Sequence, residues 1–411
     1  MKPIPDALAE LLPAFSPRGV ERVHLLEATG RVLSNPPLAR VDLPPFDNSA
    51  MDGYAVRAAD LAGASAAAPV TLPVAGESRA GGELPGPLPA GSAIRIFTGA
   101  VLPAGADAVV MQEDTAREGD RVAIQVAPKP GQHVRAKASD LAAGAELCRG
   151  VVLGPGELGL LASQHHAQVT VFRRPRVAIL STGDELIDVS DAPQPGKIVN
   201  SNAYALAAQV REAGGEPWIL PNCGDDLERI VQLVRAGLRA DVLLSVGGVS
   251  VGEYDLMGQA FVRAGVTQGF WKVAIKPGKP LSFGVKDDTP VIGLPGNPVS
   301  AMVTFEVFVR PGLRKMLGDP QPFRAHGSVR LAHAHRHRTG RTELARARLE
   351  RRDGELVADL RRLQGSGSLP SMVGVDAYVV LAADQEQFAA DATLPALFVR
   401  EVTGSASHPW S

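Results

Sequence analysis

Cysteine is nearly absent, with Cys148 and Cys223 the only two in 411 residues. Two cysteines cannot build a disulfide framework and their spacing fits no zinc site, so a reducing compartment is the simple expectation. Aromatic residues make up only 5%, while the chain carries 43 glycines and 33 prolines. That balance predicts many turns and several modest cores instead of one large one. No stretch reaches the roughly 18 consecutive apolar residues of a membrane-spanning helix. Pro3, Pro5 and Asp6 fall where an export signal would need an apolar run. An excess of one charge is missing too, since 42 basic residues meet 44 acidic ones for a net charge of −2. No global field then draws the chain to nucleic acid or to an anionic membrane, and any anionic ligand needs a local site. A cytoplasmic protein with no nucleic-acid or membrane partner is expected.

What is present has a changing rhythm. Residues 1–35 read as helical over 5–15 and 20–33, followed by an extended segment at Pro36, Pro37, Pro44 and Pro45. Short β-type runs at 93–97, 108–111 and 122–126 are divided by Gly/Pro turns. Residues 146–175 read as a connector returning toward the N-terminal segment. From Arg176 strands and helices alternate: strands at 177–180, 217–220, 241–245 and 271–275, helices at 202–212, 226–238 and 256–264. Two short strands at 281–285 and 291–294 precede a helix over 298–317. Such alternation predicts a parallel, doubly wound sheet. Five β runs after residue 320, at 326–334, 342–349, 355–360, 377–381 and 396–399, predict a small barrel. The expected domains are 1–45 with 146–175, then 46–145, 176–320 and 321–411.

Ligands of a doubly wound sheet bind beyond the carboxyl ends of its strands, and every loop expected there is unusual. Asp184 and Glu185 follow the first strand, Asp225 the second, and SVGGVSVGEYD (245–255) the third. Lys276 and Lys279 follow the fourth, and GLPGNPVS (293–300) opens the last helix. Gly247, Gly248 and Gly252 would let backbone N–H groups approach an anion, as would Gly296, Asn297 and Ser300 at a second helix start. Carboxylates in the same crevice would repel phosphate by about 4 kcal/mol for charges roughly 4 Å apart. A hard divalent cation between them reverses the sign, so the residues predict Mg²⁺ and a phosphorylated ligand. Each piece also has a plainer reading. The Gly-Gly pair could be an ordinary turn, Asp184-Glu185 a helix start, Asp225 an N-cap and the lysines solvated.

STGDEL (181–186), SVGGVSVGEYD (245–255), IKPGKP (275–280) and GLPGNPVSA (293–301) together resemble the molybdopterin molybdenumtransferases, the MoeA and gephyrin E-domain family. LPPFDNSAMDGYAV (43–56) and FTGAVLPAGADAVVMQED (97–114) resemble the same family, and the likeness spans roughly residues 5–400. It implies an α/β multidomain protein: a doubly wound domain of the molybdopterin-binding type, a β-rich second domain, an elongated connector and a C-terminal β-barrel. It further implies Mg²⁺-dependent insertion of molybdate into adenylylated molybdopterin with release of AMP, by a homodimer whose cleft is shared between subunits. A molybdopterin adenylyltransferase and recipient molybdoenzymes would be its partners. By matching position, Asp225, Asp255 and Glu185 are implied as metal-side acids with Asp184 beside them. Ser250 and the 247–252 backbone would hold phosphate. Lys272, Lys276, Lys279, Pro295, Asn297, Pro298 and Ser300 match the substrate and oxyanion pocket. Asp52, Thr98 and Asp140 match functional positions of the second domain. Two other functions are weighed, adenylylation of the pterin and a gephyrin-like scaffold. The first needs only residues resembling 176–318, and the second accompanies interaction regions this sequence lacks.

The chain departs from the family pattern in places. Around Asp140 it reads RAKASDL (135–141) where R-x-x-G-E-D-I is usual, and Gln164-His165-His166 replaces a glycine-bearing turn. GRTELARARL (340–349) and QGSGSL (364–369) match loosely, so no role is carried onto Arg341, Arg346 or Ser366. His333, His335 and His337 share one face at strand spacing and read as an exposed basic strand in preference to a metal site. His165-His166 likewise reads as surface, and Cys223 as packing.

Overall fold

The structure is a computed structural model, and it describes residues 1–248 and 256–400. Ser250, Gly252 and Asp255 lie outside the described residues. The chain divides into two compact units, the first formed by 1–35, 150–154 and 168 onward, the second by 36–149 and 155–167.

In the first unit six strands form one sheet: β1 (Arg176–Ser181), β2 (Glu216–Ile219), β3 (Val242–Val246), β4 (Thr267–Trp271), β5 (Ser282–Lys286) and β6 (Thr289–Leu294). Their spatial order is β2-β1-β3-β6-β5-β4. β1 is buried because successive side chains point to opposite faces and both faces are covered. Val177 and Ile179 meet helix α1 (Ser201–Glu212) and the long helix that starts at Pro298. Ala178 and Leu180 meet α2 (Leu227–Gly237) and α3 (Leu256–Arg263). The sheet is therefore doubly wound, as the alternation predicts.

It is not wholly parallel. β1, β2, β3 and β6 run parallel, but β5 is antiparallel to both β6 and β4. Only Asp287 and Asp288 separate β5 from β6, too few residues for a crossover, and Asp287 takes the φ of +52° that a tight hairpin turn requires. The strand expected over 271–275 splits in consequence. β4 ends at Trp271, Lys272 turns the chain with φ +78°, and Ile275–Lys276 leaves to pair with the C-terminal domain.

The expected helix over 20–33 is also corrected. Val20–His24 is a strand paired antiparallel with Gln168–Phe172, followed by one 3₁₀ turn at Leu25–Ala28. Val20 and Val23 stand three apart, a helical interval, so the distant pairing partner and not local periodicity makes this segment a strand. The helix Ile4–Leu11 does form and packs Ala7, Leu11 and Phe15 into the core under α1. The long helix from Pro298 continues to Met316 through a π-type segment at Phe305–Val309, just before Pro311, whose ring removes one backbone bond.

Five strands close the C-terminal barrel: β7 (His326–Leu331), β8 (Thr342–Arg352), β9 (Glu355–Asp359), β10 (Ala377–Leu381) and β11 (Thr393–Phe398). Around it β8 pairs with β9, β9 with β7, β7 with β11, β11 with β10, and β10 with β8 again. Closure leaves no long unpaired edge, and Val329, Leu331, Ala347, Val379 and Phe388 fill the interior.

The second unit holds its own mixed six-stranded sheet, ordered Ala108–Met111, Gly53–Val56, Ala93–Ile96, Val70–Ser78, Arg121–Ile124 and Thr115–Glu118. Tyr54, Val56, Leu61, Val110 and Ile124 form its core. Gly53 is required there, because a Cβ would lie 1.9 Å from the Val110 carbonyl oxygen.

Candidate functional site

A cavity of about 780 Å³ opens at the carboxyl end of the sheet in the first unit. Ser181 enters it from the end of β1, Thr182 and Glu185 from the loop after it, Gly247 and Gly248 from the loop after β3, and Gly296, Asn297 and Pro298 from the loop after β6 and the helix start. Lys272, Lys279 and Pro280 close one side, and Asn200, Ser201 and Asn202 at the start of α1 close another. Loops distant in sequence thus bring an acid, a glycine pair and two lysines to one rim.

The acid loops are laced together beyond their strands. Thr182 and Cys223 form a parallel bridge, and Gly183 N–H donates to the Cys223 carbonyl at 3.0 Å. Asp184 Oδ1 accepts from Asp225 N–H at 3.0 Å. A Cβ on Gly183 would lie 2.4 Å from the Glu185 carboxylate and one on Gly224 2.4 Å from the Asp184 carboxylate, so both glycines make room for the acids. Asp225 reaches solvent, yet its carboxyl is raised above the ordinary value, first by desolvation and then by Asp184 and Glu185. The α2 N-cap is Asp226, which accepts from the N–H groups of Glu228 and Arg229. Asp225, freed from that duty, faces its acidic neighbours.

Asn200 caps α1 by accepting from Ala203 N–H, donates to the Asn222 side chain at 2.6 Å, and so ties α1 to the second acid loop. Asn202 donates to the Gly296 carbonyl at 2.7 Å. Neither asparagine is among the expected site residues, although an Asn just before a helical run is a capping signal. Asp184, Asp225, Lys276, Pro295 and Ser300 do not line the cavity. Pro295 and Ser300 are buried beneath it, and Lys276 is paired with Glu343 of β8 at 2.7 Å. The Pro298 helix start is also partly taken, because Val299 N–H donates to the Ser366 carbonyl at 3.1 Å.

Residues 2–164 match the MoeA N-terminal region (domain I and II), residues 178–315 a family described as "Probable molybdopterin binding domain", and residues 328–397 the MoeA C-terminal region (domain IV). Molybdopterin molybdenumtransferase of Bacillus subtilis is 34% identical over 100% of this chain and 97% of its own length. Molybdopterin molybdenumtransferase 2 of Mycobacterium tuberculosis is 41% identical over 85% of this chain and 88% of its own.

The chain belongs to the MoeA family.

A crystal structure of the molybdopterin biosynthesis MoeA protein from Pyrococcus horikoshii OT3 agrees, with a TM-score of 0.83 at 31% identity over 97% of this chain and 100% of that one. This MoeA-family chain carries a C-terminal contribution to its cavity that the loose motif at 364–369 concealed. Gly367 lines the cavity and Ser366 Oγ accepts from Asn297 at 3.1 Å. The loop is shaped from below by Arg346, fully buried, which donates to the carbonyls of Leu363 at 2.8 Å and Gly365 at 3.3 Å.

In the second unit, Asp52 Oδ1 accepts from both the N–H and the hydroxyl of Thr98 at 2.7 Å each. Those bonds, the hydroxyl's first, hold the Asp52 carboxyl below its ordinary value. Asp140 is exposed and accepts from Ser139 Oγ at 3.0 Å. Within the departures from the MoeA pattern, Ala138 with φ +60° and His165 with φ +58° adopt the left-handed backbone that favours glycine. Ala138→Gly is expected to stabilise the protein by about 1 kcal/mol by removing a left-handed alanine. Urea unfolding checks this, and an unchanged or lowered midpoint would refute it.

Two histidine expectations are corrected. His166 is buried with Nε2 3.1 Å from the Leu38 carbonyl. Of the basic strand only His335–Arg336 is extended, and His337 is buried instead of exposed, its Nε2 facing the Ala382 and Gln385 carbonyls and its ring beside Phe388.

Proposed function

We propose that this chain inserts molybdate into adenylylated molybdopterin, releasing AMP, with Mg²⁺ bound at the acid loops. The observation that carries the reading is the cavity in which Glu185, the Gly247-Gly248 backbone, Lys272 and Lys279 meet. A phosphorylated pterin and a tetrahedral dianion both need concentrated positive charge and N–H donors.

Mg²⁺ fits the donor set. Desolvation, and then the Asp184 and Glu185 charges, raise Asp225, and Gly183 and Gly224 leave room for the acids around it. Among the described residues no three acidic, histidine or cysteine side chains converge tightly enough to hold a metal alone. Mg²⁺ is commonly held by one or two carboxylates plus substrate phosphate oxygens. When bound it would neutralise the acids and the developing charge on the departing phosphate. Asp225 and Glu185 would hold it, and Gly247 and Gly248, with φ of +84° and +64°, would turn their backbone toward phosphate. Lys279 and Lys272 would draw in molybdate, and the Pro280 and Pro298 rings would limit water beside it.

The reading includes a cytoplasmic homodimer in which Asp52, Thr98 and Asp140 complete the partner's cleft. It also places an adenylyltransferase upstream and molybdoenzymes downstream. Incubation of the purified protein with adenylylated molybdopterin, Mg²⁺ and molybdate tests it. Molybdate-dependent AMP release is expected, whereas ATP consumption with unmodified molybdopterin would replace it with adenylylation. Lys279→Ala should raise the molybdate concentration needed for half-maximal release by about tenfold, the loss of one exposed charge near a dianion. An unaltered titration would remove Lys279 from the pocket.

The raised Asp225 carboxyl gives a pH test. In the folded chain it binds its proton more readily than in the unfolded one. Its contribution to stability is therefore fully present below the ordinary value of 3.8 and lost as pH rises through the raised value. Mg²⁺ should restore stability at neutral pH and do so less as the pH falls toward that carboxyl's titration. Thermal unfolding with and without Mg²⁺ across pH measures this, and a pH-independent Mg²⁺ effect would contradict it.

A further inference from the structure

A second concavity, of about 970 Å³, lies where the barrel meets the α/β domain, and four guanidinium groups border it. Arg310 comes from the long helix that starts at Pro298, Arg324 from the linker behind it, Arg351 from the end of β8 and Arg400 from just past β11. Glu212, at the end of α1, is the one acid among the lining residues, and Arg324 holds it at 2.5 Å. Glu306 lies beneath, against Arg324 and Arg310. Arg310 donates to the Pro322 carbonyl at 3.2 Å, while its Nε has no hydrogen-bond partner. Arg351 donates to the Gly354 carbonyl at 3.0 Å, and among the described residues neither it nor Arg400 has a carboxylate partner. Two carboxylates therefore meet four guanidinium groups, which leaves two positive charges uncancelled. The other lining residues are apolar, with Phe323 and Phe398 the largest, and Phe323 is 51% exposed. Backbone pairing fixes this frame: Arg351 opposes Leu356 across the β8–β9 hairpin, and Phe398 N–H donates to the Ala325 carbonyl at 2.9 Å.

We propose that this concavity is a second anion site, which takes a small organic phosphate whose dianion is carried on an apolar ring. It shares no lining residue with the cavity at the carboxyl end of the sheet, so the proposal stands apart from the molybdate reading. A guanidinium offers its donors in a planar fork that meets phosphate oxygens two at a time. The two uncancelled charges match a phosphate monoester, which carries nearly two negative charges at neutral pH. A carboxylate on the same ring would bring only one. Inorganic phosphate would satisfy the arginines and leave the Phe323 face in water, whereas a ring laid on it removes apolar surface from water. The α/β domain, the linker and the barrel all supply lining residues, so a bound ligand would also brace the barrel against its neighbour.

Modification of arginines by phenylglyoxal, read residue by residue by mass spectrometry, tests this without any enzymatic assay. Millimolar phenyl phosphate should slow the modification of Arg351 and Arg400 by about fivefold and leave Arg117, an exposed arginine of the second unit, unaffected. Equal rates at Arg351 and Arg400 with and without the ligand overturn the proposal. Lys279→Ala, in the other cavity, should keep the protection, and its loss there would move the ligand to that cavity and overturn the second site. The concentration for half-protection of Arg400 then reports on the wall and the charge. Phe323→Ala should raise it by about fivefold, and Arg351→Gln by about tenfold. Both side chains are exposed, so neither change threatens the fold. Inorganic phosphate should need about fivefold more than phenyl phosphate, and equal potency of the two overturns the part played by the ring.

Discussion

Asp225→Asn is expected to slow molybdate-dependent AMP release by about a hundredfold or more, the size of effect that follows loss of a direct metal ligand. The fold should be undisturbed. Asp225 makes its structural hydrogen bond through its backbone N–H to Asp184, and the neighbouring Asp226 caps α2. The substitution keeps the shape and removes only the negative charge. That charge is costly in the free protein, because desolvation and the Asp184 and Glu185 carboxylates oppose it. The amide variant should consequently be equally or more stable than the parent without Mg²⁺, and it should gain no stability when Mg²⁺ is added. Full turnover, or an undiminished Mg²⁺ effect on thermal unfolding, would take Asp225 out of the metal site.

A second large effect is expected far from the chemistry. Glu306 is 4% exposed and lies beneath Arg324 and Arg310, both 14% exposed. It accepts from Arg324 Nε at 2.9 Å and from Gln209 Nε2 at 2.9 Å, with Arg310 Nε 3.9 Å away. Burial first, and then the neighbouring Arg324, lower the Arg310 value, so Arg310 depends on Glu306, whereas Arg324 also pairs with Glu212 at 2.5 Å. Glu306→Ala should cost about 3 kcal/mol, because the desolvated Arg310 loses its counter-ion while Arg324 keeps only Glu212. The exposed Arg336–Glu386 pair offers a control, where Glu386→Ala should cost under about 1 kcal/mol. Urea unfolding followed by fluorescence compares the two, and similar losses would deny the cluster its role.

Much of this architecture can be read in the sequence, and the failures share a cause. The alternation from Arg176 onward predicts the doubly wound sheet, and the five C-terminal runs match the barrel strands closely. What periodicity cannot supply is the direction of β5, which depends on a two-residue turn at Asp287-Asp288. Val20–His24 is similar, because its partner lies at Gln168–Phe172, far along the chain. At the site, glycine loops and paired lysines announce themselves through residue type. Asn200, Asn202 and Gly367 matter through three-dimensional neighbours, and ordinary residue types in ordinary spacing give no warning of that. Ala138 and His165 show the opposite case, where a residue type that does not favour it hides a left-handed backbone turn.

The segment that carries Lys272 and Lys276 is gripped on both sides. Lys2 N–H donates to the Lys272 carbonyl at 3.0 Å, Ala274 N–H donates to the Lys2 carbonyl at 2.8 Å, and Thr342 N–H donates to the Ala274 carbonyl at 3.1 Å. Chimeras between relatives would therefore not obey domain boundaries. A graft that brings in a foreign barrel, or a foreign first few residues, also rewrites the frame on which the lysines are mounted. Such hybrids should lose oxyanion recognition unless all three pieces come from one parent.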